Sequence, residues 1–390
     1  MTHSMHPIII HISNDFPDIV APGKTKAIQH LVDGTPEFRH IVYSLNRING
    51  WRGITSVPFG TDRTAISYKA LPKGLFWEAR LREVANYIIR DLTAKNITPD
   101  LIQGHKFTVE GLVAQDIATY FKKPFMLSIQ GDTDTKILQM KRSLRKRFQV
   151  IADQAAIVFP FAYWPIATFQ KYLTLDPHKI SVLPVVPAID VLSPAPLIAE
   201  SCLLSVFHLD SWNRKNIIGM MNGLKIVREG IPNARLDIYG SGSPKNLELL
   251  KKLIKDYGLE GSVSLLGAVP NGELPQLMKK YVGFVLPSKR ESYGLVYAEA
   301  LFSGLPILFS KDRGIDGFFP TDKIGYACDP FDANDIAKGM THLLTHQSKL
   351  KASIADLQSS GGLDVIRRSS ILDVYRQGIQ KVLSAAQSAF

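Results

Sequence analysis

Residues 283–306 read GFVLPSKRESYGLVYAEALFSGLP. Gly283-Phe284-Val285-Leu286 is a short, continuous apolar run, the pattern of a strand buried on both faces. Leu295 to Phe302 is rich in good helix formers, and Pro306 to Phe309 opens a second apolar run. A strand, a loop, a helix and a strand in this order make a right-handed crossover between parallel neighbours. The backbone amides of Ser292, Tyr293, Gly294 and Leu295 fall where a helix begins. Unpaired amides there, added to the helix dipole, form an anion site suited to a diphosphate. Glu291 stands before the helix and Glu299 one turn inside it. Their carboxylates can accept hydrogen bonds from sugar hydroxyls on either side of such a group. The plainer alternative is a helix cap at Glu291 and a solvated face at Glu299.

Working outward, the same rhythm fills the second half. Strand runs at Leu203–Phe207, Arg235–Tyr239 and Ser262–Leu266 alternate with helical spacing at Asn216–Glu229 and Leu247–Tyr257. The first half repeats it, with strands at Pro7–Ile12, Pro99–Ile102 and Pro124–Ile129 and helices at Ala79–Ala94 and Glu110–Phe121. Pro184, Pro187, Pro194 and Pro196 interrupt any helical period and mark the linker. The expected architecture is α/β, with two doubly wound, Rossmann-like domains and a cleft between them. Residues 1–190 form the first domain, 191–365 the second, and 366–390 a C-terminal helix that packs back on the first.

The 390 residues suit two cores, and a composition 45% hydrophobic and 21% charged excludes disordered and fibrous classes. Two cysteines, Cys202 and Cys328, exclude a disulfide framework and suit a reducing compartment. The start of the chain lacks the pattern of an export signal, and the aromatic stretch Gln154–Gln170 is broken by Pro160 and Pro165. A cytoplasmic protein is expected. Net charge is +11, and the first 190 residues hold 23 basic against 16 acidic side chains. That excess favours anionic partners, among them phosphates and lipid surfaces.

Pro287-Ser288-x-x-Glu291-Ser292-Tyr293-Gly294-Leu295, then Glu299 and Ala300 to Pro306, resembles the retaining glycosyltransferases of family 4, which have the GT-B fold. Lys215-Asn216, Asp237 to Gly242 and Val263 to Gly267 fall in that family's order, as do Gly325-Tyr326-Ala327 and Asp332 to Leu344. In the first half, Pro99 to His105 and Ile129 to Asp132 follow it more weakly. The resemblance implies a UDP- or GDP-linked sugar donor held mainly by the second domain, with no cofactor and no essential metal. Glu299 would bind the ribose, Glu291 the transferred sugar, and the amides of 292–295 the sugar and diphosphate. Lys215 would neutralise the diphosphate, and the base would lie near Leu266 to Val269. The acceptor would be a saccharide or a lipid-linked saccharide in polysaccharide or glycolipid assembly.

Two positions depart from the family pattern. Gln130 stands where a histidine is usual, and glutamine cannot share a proton at neutral pH. Asp210 stands where a basic residue is usual, and Arg214 is the nearest substitute cation. These departures leave open a catalytically weak, nucleotide-binding relative that acts as an assembly subunit. A nucleotide-sugar epimerase is the enzymatic alternative. Nucleic-acid binding would rest on charge alone, and no aromatic-basic module supports it.

Several weaker signals complete the reading. Gly23 is either a point of close backbone approach or an ordinary turn. His105, just past a strand, either faces an acceptor or is satisfied internally. Asp132-Thr133-Asp134 matches a short metal-binding pattern, but a loop or helix cap is the preferred reading, and Asp132 is placed on the acceptor side without a metal. From Lys136 to Ala152, Ile137, Met140, Leu144, Phe148 and Ile151 recur at helical steps, beside Lys136, Lys141, Arg142, Arg145, Lys146 and Arg147. One amphipathic helix is expected there, either lying on anionic lipid at the inner membrane face or packing on its own domain.

Overall fold

Ile8–Ser13 (β1) carries three consecutive isoleucines and lies buried at the centre of a seven-stranded sheet. The other strands of that sheet are Arg39–Asn49 (β2), Ile54–Pro58 (β3), Arg63–Ala70 (β4), Leu101–Gly104 (β5), Phe125–Ile129 (β6) and Ile157–Pro160 (β7). Their spatial order is β3-β4-β2-β1-β5-β6-β7, parallel throughout except for the antiparallel β3–β4 hairpin. The computed structural model describes residues 6–71 and 76–388. They divide into one unit built from residues 1–186 with 368–390, and a second from 187–367.

In the first unit the period of two along β1 sends Ile10 and Ile12 to one face and Ile9 to the other. Ile10 and Ile12 join Leu81, Val84 and Ile88 of helix Trp77–Ala94 and Val113 and Ile117 of helix Glu110–Phe121. Ile9 joins Leu101, Met126 and Phe159 beneath Ile371, Tyr375 and Ile379 of the C-terminal helix Arg368–Ser388. The last helix thus covers the face left bare by the other two.

The second unit is a six-stranded, wholly parallel sheet. Its strands are Cys202–Val206 (β8), Arg235–Tyr239 (β9), Val263–Leu265 (β10), Gly283–Val285 (β11), Ile307–Ser310 (β12) and Gly325–Cys328 (β13). They lie in the order β10-β9-β8-β11-β12-β13. Counted from β8 this is 3-2-1-4-5-6, the dinucleotide-fold order. The chain reverses direction across the sheet between β8 and β11, and ligands of such sheets bind beyond the carboxyl ends of that pair.

Two differences from the sequence reading stand out. The strands β2, β3 and β4 lie where no strand is expected; β2 buries Ile41 to Asn46 but ends in exposed residues, and β3 is largely exposed. The single helix expected from Lys136 to Ala152 is corrected to helix Asp132–Met140, a 3-10 turn at Arg142–Leu144, and helix Arg145–Gln154. The reason is local. Arg145 donates from Nε to the Leu138 carbonyl and from Nη2 to the Gln139 carbonyl, both at 3.2 Å, so its guanidinium takes over helix-end acceptors. Its guanidinium also stacks 4.1 Å over the Tyr172 ring. Arg147 is paired with Asp116 at 2.9 Å. Lys136, Arg142 and Lys146 remain exposed, while Lys141 is half-buried.

Candidate active site

β8 ends at Val206, and the loop beyond it runs to Asn216, which starts helix Ile217–Gly230. Asn216 sits at φ +66°, a left-handed conformation that asparagine tolerates, and its Oδ1 accepts from Gly219 N. Its Nδ2 donates to the carbonyls of Pro287 (3.0 Å) and Pro330 (2.7 Å). One side chain therefore ties the loop after β8 to the loop after β11. Lys289 N adds a further tie, donating to the Arg214 carbonyl at 2.9 Å.

Within this brace Lys215 Nζ meets Glu291 Oε2 at 2.5 Å, and Ser288 Oγ stands 3.4 Å from the same oxygen. Both charged side chains are largely enclosed, at 12% and 9% exposure. The pair sits at the topological reversal, one member contributed from each central strand.

The loop enters helix Leu295–Phe302 through Gly294, at φ +79°. A Cβ there would fall 2.5 Å from the Tyr297 ring and 3.1 Å from Glu291 Cγ. Gly314, at φ +57°, closes on the same two side chains from another loop. Tyr297 OH donates to the Leu286 carbonyl at 2.5 Å, and Ser310 Oγ to the Ser288 carbonyl at 2.7 Å. Tyr293 is buried against Phe318. The stretch 286–297 is thus held by side chains beneath it, with the helix N-terminus beside the ion pair. Ser292, Gly294 and Leu295 are partly exposed.

Glu299 lies one turn into the helix and borders a small recess with Ile189, Asn271, Leu274 and Phe302. Burial raises its carboxyl above the ordinary range. Leu266 and Val269 lie on the loop beyond β10, where Leu266 is 45% exposed. Arg214 is exposed, and its side chain donates to Ser211 Oγ at 3.3 Å. Asp210 Oδ1 accepts from Asn246 Nδ2 and from Ser243 N and Oγ, each at 2.8 Å, at the start of helix Pro244–Asp256. Those donors, Asn246 first, pull its carboxyl down to about 2.

The first-unit candidates separate from one another. Gly23 is exposed in a turn, and no protein atom lies within 4 Å of where its Cβ would stand. Asp134 is fully enclosed and accepts from Thr108 N, Thr108 Oγ1 and Gln130 N. It therefore fastens two loops, and the metal reading of 132–134 loses one of its two carboxylates; Asp132 stays partly exposed. Gln130 is partly exposed at the end of β6.

His105 is fully buried, so of its two readings the internal one describes it and the acceptor-side position does not. It belongs to a chain of three histidines drawn from β2, β1 and the end of β5. His40 Nε2 lies 2.7 Å from the Thr35 carbonyl, which can only accept, so Nε2 carries the proton. In the neutral ring Nδ1 must then accept from His11 Nε2 at 2.8 Å, and His11 Nδ1 from His105 Nε2 at 3.0 Å. Burial holds all three below the ordinary histidine range, His105 at about 3.

Sequence reasoning missed Asn216, Ser288, Tyr297 and Gly314 as builders of the site. Asn216 carried a signal as an asparagine at the start of a helical period, and Ser288 as part of the quoted motif.

Residues 202–356 match the family model of glycosyl transferases group 1. Mannosylfructose-phosphate synthase of Agrobacterium fabrum is 28% identical over 134 residues, which are 33% of this chain and 30% of that protein. The sulfoquinovosyl transferase of Arabidopsis thaliana is 35% identical over 124 residues, 31% of this chain and 23% of that protein. The chain thus spans less than a third of the length of these curated relatives. Among solved structures, sucrose-phosphate synthase of Thermosynechococcus elongatus superimposes with a TM-score of 0.73 at 16% identity, covering 97% of this chain and 100% of that one. An Anabaena protein solved with UDP and glucose gives 0.67 at 15% identity, covering 97% and 100%. The fold is GT-B, as its two parallel α/β sheets and these neighbours agree.

Proposed function

We propose that the chain is a glycosyltransferase that takes a hexose-type sugar from a UDP- or GDP-linked donor and transfers it with retention of anomeric configuration. The observation that carries this reading is the Lys215–Glu291 pair at the reversal of the second sheet, in the segment that matches the family model. The donor's diphosphate would meet the helix N-terminus at Gly294 and Leu295, and Lys215 would neutralise charge on the departing nucleotide. Glu291, released from part of its hold on Lys215, would accept hydrogen bonds from the sugar. Glu299 would take the ribose hydroxyls, which supply the donors its carboxylate needs. The acceptor would be a saccharide or a lipid-linked saccharide. No described helix is long and apolar enough to cross a membrane, and peripheral contact would fall to the exposed Lys136, Arg142 and Lys146.

Calorimetric titration with UDP and GDP, followed by turnover of the matching sugar donors and NMR of the product's anomeric proton, tests the reading. Saturable nucleotide binding and an unchanged anomeric configuration are expected. Absence of nucleotide binding, or an inverted product, would overturn it. A weak, nucleotide-binding subunit is the second reading, favoured by Asp210, whose carboxylate serves a helix start where the family pattern has a cation. Nucleotide binding without any donor cleavage would select it.

A further inference from the structure

A side-chain carboxamide offers one acceptor oxygen and two N–H donors, and at Asn216 all three are used. Oδ1 accepts from Gly219 N at 3.3 Å, while Nδ2 donates to the carbonyls of Pro287 at 3.0 Å and Pro330 at 2.7 Å. Asn216 is 2% exposed, so water has little access to these bonds. Pro287 follows β11 and Pro330 follows β13. The residue that closes the loop after β8 therefore also holds the loops after two other strands, all at the carboxyl edge of the second sheet.

The surroundings are shaped for that one group. A Cβ at Gly219 would fall 2.5 Å from Asn216 Nδ2 and 2.7 Å from Oδ1, so the absence of a side chain there makes room for the carboxamide. Its own backbone is left-handed, at φ +66°, which asparagine and glycine accept and most residues do not. Aspartate would set an oxygen against the carbonyls of Pro287 and Pro330, and glycine would keep the backbone while removing all three bonds. The neighbour on the amino side is Lys215, whose Nζ meets Glu291 in the loop that Pro287 begins. Asn216 thus fixes both ends of that ion pair, one through the chain and one through the Pro287 carbonyl.

We infer that Asn216 is a positioning residue: without touching the nucleotide, it sets where the Lys215 ammonium stands against Glu291, and so how tightly the diphosphate is held. As a statement about donor binding, this rests on the glycosyltransferase reading above; as a statement about the ion pair, it stands on the three hydrogen bonds alone. A residue that served only the stability of the loops would weaken nucleotide binding by the same factor whether or not Lys215 were present. A residue that acts through Lys215 loses its effect once that lysine is gone.

The test is calorimetric titration of the full chain and its variants with UDP and GDP, beside their thermal midpoints. Asn216→Gly should weaken nucleotide binding by about tenfold in the natural chain and by no more than about twofold in the Lys215→Ala background. Gly219→Ala, which pushes the carboxamide out from below, should reproduce the loss, and should cost nothing further once Asn216→Gly is present. Unchanged affinity in Asn216→Gly, an equal loss with and without Lys215, or an equal cost of Gly219→Ala in both backgrounds overturns the inference. If the natural chain binds neither nucleotide, the donor reading fails alone, and the same variant pairs are read in the midpoints. The drop caused by Asn216→Gly should then shrink in the Lys215→Ala background, and equal drops overturn the inference.

Discussion

Lys215 Nζ and Glu291 Oε2 stand 2.5 Å apart, 76 residues distant in sequence and each delivered by a loop beyond one of two adjacent central strands. Neither charge has much access to water. Each therefore depends on the other, and on the proposed function the two would separate in part for a diphosphate to take the ammonium.

Removing the lysine should consequently cost both stability and binding. Lys215→Ala strands a carboxylate, and loss of one partner of a buried pair costs about 3–5 kcal/mol. The expected result is a lower denaturation midpoint together with a loss of UDP or GDP affinity of at least tenfold. Glu291→Gln keeps the shape, so nucleotide binding should survive while donor turnover is lost. Full turnover in Glu291→Gln would remove that residue from the chemistry.

Gly294 should tolerate no side chain. Its left-handed φ acts together with the Tyr297 ring, which stands 2.5 Å from where a methyl group would be. Left-handed backbone alone costs about 1–2 kcal/mol, and the displaced ring would shift Glu291. Gly294→Ala should lower the thermal midpoint and abolish turnover. Gly23→Ala, with open space around the new methyl group, should leave the midpoint in place. Equal behaviour of the two variants would contradict the geometry.

Acid should unfold the first unit through its histidine chain. His11, His40 and His105 are held below the free value near 6.5 by burial, His105 at about 3. Below that free value the unfolded chain binds protons that the folded chain refuses, so stability falls as pH drops. At one pH unit below 6.5 the loss is about 1.4 kcal/mol for each histidine that stays neutral. Glu110 acts in the opposite sense. Burial raises it to about 8, so between its ordinary value and 8 the folded state holds an extra proton and stability falls as pH rises. Urea titrations from pH 4.5 to 8 check both. His11→Gln should flatten the acid side, and Glu110→Gln the alkaline side.

How far the sequence foretells this molecule depends on whether a feature is local. The strands β8, β11 and β12 are almost wholly buried, so they read as short, mostly apolar runs. The segment from Ser288 to Glu299 carries its loop and helix chemistry within a dozen residues, and Glu291 and Lys215 could be named from pattern. By contrast, β2 ends in the exposed residues Arg47, Ile48 and Asn49, and β3 is an edge strand, so neither shows a clean period. His105 meets His11, 94 residues away in sequence, and through it His40. The break after Met140 depends on Arg145 folding back, a choice that helical spacing does not encode.

Asp210 is the position at which an active enzyme and a weak relative can be told apart. Its single Oδ1 gathers three donors from Ser243 and Asn246, so it orders the start of helix Pro244–Asp256 and the adjoining Gly240–Gly242 turn. Arginine at this position would restore the family's charge but leave those donors without their acceptor. Asp210→Arg should therefore lower the thermal midpoint without raising donor turnover, and Asp210→Asn, which keeps an acceptor oxygen, should lower it less. A variant Asp210→Arg with tenfold higher turnover and an unchanged midpoint would mean that the missing cation, not the helix start, is what this position governs.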